Sequence, residues 1–203
     1  MAYAVRLRIG PINLVDGDDV IVIWARALLD SGSLEPPVVA LTMLSNVGIE
    51  EHLGRHGIEV IRTPVGDRAV AAALRESGGL LGGEPSGHII HSSEAATGDG
   101  IRTGLSIAHR IKESGRSLAD LRSGIVRFPQ EQRTLKIFDR PEIEGLEFLS
   151  SAMEKARQAL GDNGRILVRY SGTEPLLRIL VEARSAEDVR RWGDHIEAPS
   201  RGR

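Results

Sequence analysis

The stretch that most constrains this chain is Val20-Ile-Val-Ile-Trp-Ala-Arg-Ala-Leu-Leu29, apolar at every position but Arg26. At helical spacing those side chains point in nearly every direction, which describes a helix covered on several sides. Asp18 is placed to cap its start, and Gly32 to end it after Ser31. Ahead of it, Arg6-Leu-Arg-Ile9 alternates like a strand and Val15-Asp-Gly-Asp18 reads as a turn. One short strand cannot cover such a helix. Residues 19–29 are therefore expected to find a partner outside the first segment or to drive self-association. On that expectation, charged residues at Trp24 and Leu28 would improve solubility.

Three segments separate by pattern. Residues 1–36 hold this strand and helix. Residues 37–124 alternate apolar runs with helical stretches: Val38 to Leu44, a helix from Asn46 to His56, Ile58 to Arg62, and a helix from Asp67 to Ser77. Short runs at Leu80 to Gly83 and His88 to Ile90 follow, then a helix opening at Asp99 and the capping-box spacing Ser117-Leu-Ala-Asp120. This reads as a compact α/β domain. Residues 125–203 open with a linker at Phe128-Pro129. The order is then strand (Thr134 to Phe138), helix (Gly145 to Leu160), strand (Arg165 to Arg169), strand (Leu176 to Glu182) and helix (Ser185 to Ile196). That order predicts a small antiparallel sheet with helices on one face, an α+β unit.

Composition removes several classes of function. The 203 residues are 41% hydrophobic and 27% charged, ordinary for a folded protein. With no cysteine, disulfides, thiolate metal sites and a cysteine nucleophile are excluded. The longest purely apolar runs, such as Val20 to Ala25, are far short of the ~20 residues that cross a bilayer, and Met-Ala-Tyr-Ala-Val-Arg is no signal pattern. No membrane partner and a cytoplasmic location are the default expectations. A net charge of -2 and 3% aromatic residues argue against nucleic acid. The local excess of Arg184, Arg190, Arg191, Arg201 and Arg203 reads as a solvated helix face.

Two loops could carry chemistry. In Gly82-Gly-Glu-Pro-Ser-Gly-His88, a carboxylate, a hydroxyl and an imidazole stand between glycines. Glu84 can accept hydrogen bonds from two neighbouring hydroxyls of a polyol, and Ser86 can donate or accept. A plain glycine-rich hairpin turn is the alternative. In Arg169-Tyr-Ser-Gly-Thr-Glu-Pro-Leu-Leu-Arg178, Ser171 and Thr173 offer hydroxyls, Gly172 frees the backbone, and an arginine stands on either side. These are the parts of an anion nest, and a guanidinium suits phosphate through paired charge-assisted hydrogen bonds. An ordinary tight turn with two solvated arginines stands equally open.

The two loops belong to a longer series: Val15-Asp-Gly-Asp18, Leu44-Ser-Asn-Val-Gly48, Thr63-Pro-Val-Gly-Asp-Arg68, Gly83-Glu-Pro-Ser-Gly-His88, Thr97-Gly-Asp-Gly100, Phe128-Pro-Gln130 and Arg169-Tyr-Ser-Gly-Thr-Glu-Pro175. In this order, from about Val15 to Ile196, the chain resembles the bacterial phosphoglucosamine mutases of the α-D-phosphohexomutase superfamily. The resemblance implies a phosphohexomutase-type α/β third domain at 37–124, an α+β TATA-binding-protein-like carboxy-terminal domain at 125–203, and a remnant of the second domain at 1–36. It also implies roles. Glu84, Ser86 and His88 would grip sugar hydroxyls. Arg169, Ser171, Gly172 and Thr173, with Arg178 less directly, would grip phosphate, and Gly66, Asp67 and Arg68 match an active-site loop. The family reaction interconverts glucosamine 6-phosphate and glucosamine 1-phosphate through a phosphoserine and a bisphosphate.

Departures from the family pattern carry equal weight. The Thr-Ala-Ser-His-Asn-Pro-like serine loop has no counterpart here, and neither has the Asp-Gly-Asp-Gly-Asp-Arg loop that holds Mg2+ in the family. The chain is expected to supply no catalytic residue and no metal ligand, to start just after the magnesium loop, and to act on an amino-sugar phosphate. A chain carrying the missing amino-terminal domains is a possible partner; a non-catalytic binding module is the other reading. Asp16, Asp18 and Asp19 match the Val-Asp-Gly-Asp turn rather than the metal loop, and Asp99 reads as a helix cap. Pro85 replaces the usual amide residue of the sugar loop, and Tyr170 a common lysine of the phosphate loop.

Overall fold

The computed structural model describes residues 4, 7–9, 13–137 and 139–198; Arg6, Phe138, Arg201 and Arg203, which entered the expectations above, lie outside them. The chain forms two compact units, Met1–Val126 and Arg127–Arg203. In the first, β1 (Leu7–Ile9) and β2 (Asn13–Val15) pair antiparallel and lead into α1 (Gly17–Asp30). Then follow β3 (Val38–Thr42), α2 (Val47–Arg55), β4 (Glu59–Thr63), α3 (Asp67–Ser77), β5 (Leu81–Gly83), β6 (Ile89–His91), α4 (Gly100–Ser114) and α5 (Leu118–Arg122). The sheet order is β4-β3-β5-β6, with β3 parallel to both β4 and β5, and β6 antiparallel at the edge.

The pleat of β3 sorts the layers. Val39 and Leu41 face a core built from α1, α2 and α4, whereas Ala40 faces Val70 and Leu74 of α3 on the other side. Helices on both faces explain why all five residues of β3 are buried.

The apolar helix proves to be the centre of this unit. Val20, Ile21, Val22 and Ala25 have no exposed surface, and α1 packs on β5, α2, α4 and α5. Its cover therefore comes from residues that follow it, in the same compact unit. The expected boundary at residue 36, which set α1 in a remnant of a preceding domain, and the self-association face at 19–29 give way to this packing. The capping expectation shifts as well. Asp16, not Asp18, caps α1: its Oδ1 accepts from the amides of Asp18 at 3.0 Å and Asp19 at 3.2 Å, while the Asp19 carboxylate accepts from the Asp16 amide. The three-residue spacing from Asp16 to Asp19 makes this reciprocal pair, which Asp18 could not. Asp99 and Asn46 cap α4 and α2, and Ser117 with Asp120 forms the expected capping box.

One position in α2 is open to improvement. A Cβ built on Gly54 meets nothing within 4 Å. Gly54→Ala is expected to stabilise unit 1 by about 0.5–1 kcal/mol, read as a higher denaturation midpoint.

Unit 2 runs β7 (Gln130–Lys136), a 3-10 turn (Ile143–Gly145), α6 (Glu147–Leu160), β8 (Gly164–Tyr170), β9 (Leu176–Ala183) and α7 (Ala186–Glu197). The antiparallel order is β7-β9-β8. Leu177, Ile179, Val181 and Ala183 of β9 pack beneath Leu149, Met153, Val189 and Trp192 of the two helices. Strand β7 starts at Gln130 rather than Thr134. It is an edge strand, and edges carry polar residues that hide the alternation. Arg133 on β7 binds Asp194 at 2.7 Å and Glu197 at 2.9 Å on α7, so the polar edge is fastened to the helix layer.

No helix of the described residues is long and apolar enough to cross a membrane.

Candidate functional site

Because β3, β4 and β5 are parallel, the loops that leave them gather at one edge of the sheet, the carboxyl edge where ligands bind in open α/β sheets. Two of the expected loops meet there. Glu84, on the β5–β6 hairpin, turns Oε1 to the backbone N–H of Gly66, which donates at 2.7 Å, and Oε2 to Ser86 Oγ, which donates at 3.0 Å. Ser86 Oγ also lies 3.1 Å from Nδ1 of His88. With its own proton given to Glu84, Ser86 is an acceptor for that ring N–H. Glu84, Ser86 and His88 thus form one connected group, half-buried, with Gly66 and Asp67 against it. Asp67 opens α3, and one carboxylate oxygen each of Asp67 and Glu84 and a ring nitrogen of His88 lie within 4.8 Å of one another. Arg68 is exposed beside them. Gly66 has φ 120°, a conformation other residues rarely adopt, which explains glycine at the point where its amide must turn toward Glu84.

Residues not singled out from the sequence hold this group in place. The N–H of Gly17 donates to the carbonyl of Pro85 at 3.1 Å. A Cβ on Gly17 would stand 1.9 Å from the Glu84 carbonyl oxygen and 2.8 Å from the Gly87 nitrogen. Gly17 therefore belongs to the architecture of the Glu84–His88 loop rather than to a free turn. The neighbouring acids serve the same junction. Asp18 accepts from the Asn46 amide at 3.0 Å, and Asp19 pairs with Arg122 at 3.1 Å. Asp16, Asp18 and Asp19 turn their carboxylates to separate backbone amides and a guanidinium, and among the described residues they do not converge as a group of metal-ligand atoms, so they do not fit the role of a magnesium cage. The signal in the sequence was the motif Val15-Asp-Gly-Asp18 itself, whose parts pair with residues far along the chain.

In unit 2 the loop from Ser171 to Pro175 joins β8 to β9. Arg169 and Arg178 are paired directly across the two strands, so both guanidiniums rise from the same face beside the loop. Arg178 binds Glu174 at 2.8 Å, whereas Arg169 has no carboxylate within salt-bridge reach among the described residues. Burial, and then the neighbouring Arg178, push the Arg169 pKa below its ordinary value. Both causes act against its charge, and the opposite charge of a bound anion would offset them. Ser171 is buried and its N–H donates to Leu176 O at 2.8 Å, closing the base of the loop. Gly172 and Thr173 are exposed at its tip.

The expectation that Gly172 frees the backbone is not met in conformational terms. Gly172 is absent from the positive-φ glycines, and a Cβ there meets nothing within 4 Å. What glycine leaves at that position is open space beside two guanidinium-bearing strands. Tyr170, in place of a lysine, donates to Pro141 O at 2.7 Å, and burial raises its pKa.

Comparison with known proteins places both units. Residues 16–128 match the phosphoglucomutase/phosphomannomutase alpha/beta/alpha domain III, and residues 126–198 match the C-terminal domain of the same family. The phosphoglucosamine mutase of Synechococcus sp. (strain RCC307) is 42% identical over 191 residues, covering 92% of this chain and 41% of that protein. That of Koribacter versatilis (strain Ellin345) is 44% identical over 177 residues, 87% of this chain and 38% of the relative. The chain thus spans about two fifths of the length of the curated relatives it matches. Among solved structures, an N-acetylphosphoglucosamine mutase of Aspergillus fumigatus, in complex with GlcNAc-6P and magnesium, aligns with TM-score 0.76 at 18% identity, over 93% of this chain and 47% of that one. A putative phosphomannomutase from Thermus thermophilus aligns with TM-score 0.60 at 18% identity, over 94% and 42%. The first family match begins at Asp16, where the capping of α1 begins, so the helix that packs at the heart of unit 1 falls inside domain III. The chain belongs to the phosphoglucomutase/phosphomannomutase family and carries its domain III followed by its C-terminal domain.

Proposed function

We propose that the chain supplies the sugar-binding and phosphate-binding loops of a phosphoglucosamine mutase. Glu84, Ser86 and His88 hold the hydroxyls of an amino sugar, with Gly66, Asp67 and Arg68 as the adjoining loop. Arg169, Ser171, Gly172 and Thr173 hold its phosphate, with Arg178 as a supporting charge. The observation that carries this reading is the Glu84 carboxylate, which is fixed by Gly66 and Ser86 at the carboxyl edge of a parallel sheet. Relatives more than 40% identical bear the name phosphoglucosamine mutase, which supports an amino-sugar phosphate as ligand.

The chemistry of these residues is positioning. The Glu84 group suits the hydroxyls of a sugar and the guanidinium loop suits a phosphate, and phosphoryl transfer depends on such positioning groups. The serine loop that donates phosphoryl in the family, and the carboxylate loop that binds its magnesium, are absent from the sequence. Turnover requires domains that bear those two loops. By itself this polypeptide is expected to bind glucosamine 6-phosphate at about millimolar affinity, since a few charge-assisted contacts barely exceed the cost of association. With magnesium and a bisphosphate activator it should form no glucosamine 1-phosphate. Steady production of glucosamine 1-phosphate by the purified chain would contradict this reading.

Two substitutions separate binding from folding at the phosphate loop. Arg169→Gln is expected to weaken glucosamine 6-phosphate about tenfold or more, since a charge-assisted hydrogen bond contributes about 1.5–3 kcal/mol, with little loss of stability. Gly172→Ala should leave the denaturation midpoint unchanged, because its methyl group enters open space, and still weaken binding, because that is the space the proposed phosphate would take. Calorimetry and a denaturant titration on each variant check both.

A further inference from the structure

The same edge of unit 1 carries a second kind of chemistry. Asp67, Glu84 and His88 offer two carboxylates and one imidazole whose ligand atoms stand within 4.8 Å of one another. Their backbones are tied together. The Gly66 N–H fixes Glu84 one residue before Asp67, and the Glu84 N–H donates to His88 O at 3.0 Å across the hairpin. The side chains of Glu84 and His88 are 13% and 31% exposed, so the group is sheltered but open to an ion from solvent.

We propose that Asp67, Glu84 and His88 bind a zinc ion, and that the ion excludes the sugar from this loop. Ligands on tetrahedral zinc lie about 3.4 Å apart, given bonds of ~2.0–2.2 Å. From their present spacing the three donors close on an ion by moving about 1 Å or less, which side-chain rotation provides. Three protein ligands leave a fourth position for water. An imidazole beside carboxylates suits zinc, whereas magnesium demands a shell of oxygens and dehydrates reluctantly. The ion neutralises two carboxylates held close together and takes the Glu84 and His88 atoms that would otherwise meet sugar hydroxyls. The exclusion rests on those residues being the sugar grip; the ion site itself does not.

The test is isothermal calorimetry of zinc chloride into the whole chain, repeated with His88→Ala and the near-isosteric Asp67→Asn. His109→Ala serves as a control, because His109 and Glu113 form a two-donor pair on the exposed face of α4. One-to-one binding is expected, at least tenfold weaker in His88→Ala and Asp67→Asn and unchanged in His109→Ala. The apparent affinity for glucosamine 6-phosphate should fall as zinc is raised, and magnesium at the same concentration should have no such effect. Absence of saturable zinc binding, or binding that both site variants leave intact, overturns the proposal. Zinc binding at these residues in a chain that binds no sugar phosphate keeps the ion site and removes the exclusion along with the sugar reading. Sugar-phosphate binding without zinc binding removes the zinc proposal alone.

Discussion

Replacing Ile21 with aspartate is expected to unfold unit 1 and leave unit 2 folded. Ile21 has no exposed surface and sits in the core shared by α1, β3, α2 and α4. Losing its side chain from a packed core costs about 2–5 kcal/mol, and an unpaired carboxylate in its place adds several more. The sum reaches the ~5–15 kcal/mol that stabilises a whole domain. Trp24→Asp and Leu28→Asp should do the same, since those residues are only 4% and 8% exposed. This reverses the expectation that charge at those positions would aid solubility. The chain carries two tryptophans, Trp24 in unit 1 and Trp192 in the separate core of unit 2. In an NMR spectrum of the Ile21→Asp variant, the Trp24 indole signal should move to its unfolded position while that of Trp192 stays dispersed. A soluble variant with both signals unmoved would mean that α1 lies outside the core.

Gly17→Ala is expected to abolish sugar binding by a route that alters no proposed sugar-binding side chain. Its methyl carbon would stand 1.9 Å from the Glu84 carbonyl oxygen, and a backbone atom cannot swing aside as a flexible side chain can. Either α1 or the loop must move. If the loop moves, the Glu84 carboxylate leaves the Gly66 amide and the Ser86 hydroxyl that orient it. Glucosamine 6-phosphate affinity should fall at least tenfold, with a loss of about 1–3 kcal/mol in the stability of unit 1 for the overpacked junction. Gly54→Ala, the methyl group in open space, is the matched control. Unchanged affinity and midpoint in Gly17→Ala would show that the loop does not depend on this contact.

Much of this architecture was legible in the residues, because local signals and tertiary packing agree. Asp67 to Ser77 is helical as expected, and Asn46, Asp99 and Ser185 each cap the helix they precede. The expectation failed where the deciding contact was distant. The cover of α1 comes from β5, α4 and α5, dozens of residues later, so its own periodicity could say that it is buried but not by what. Asp18 read as a cap by type, yet its carboxylate reaches Asn46 across 28 positions of sequence. The candidate loops were legible by residue type, and the grouping of Glu84 with Gly66 emerged only from the parallel order of β3, β4 and β5, which periodicity leaves open.

Titration of the labelled chain with glucosamine, with inorganic phosphate and with glucosamine 6-phosphate, followed amide by amide, is the most direct test of what each loop binds. The expected result is that glucosamine shifts the amides from Gly83 to His88 together with Gly66, phosphate shifts those from Ser171 to Glu174, and glucosamine 6-phosphate shifts both sets. Saturable shifts elsewhere in the chain, or none at either loop at millimolar ligand, would contradict it.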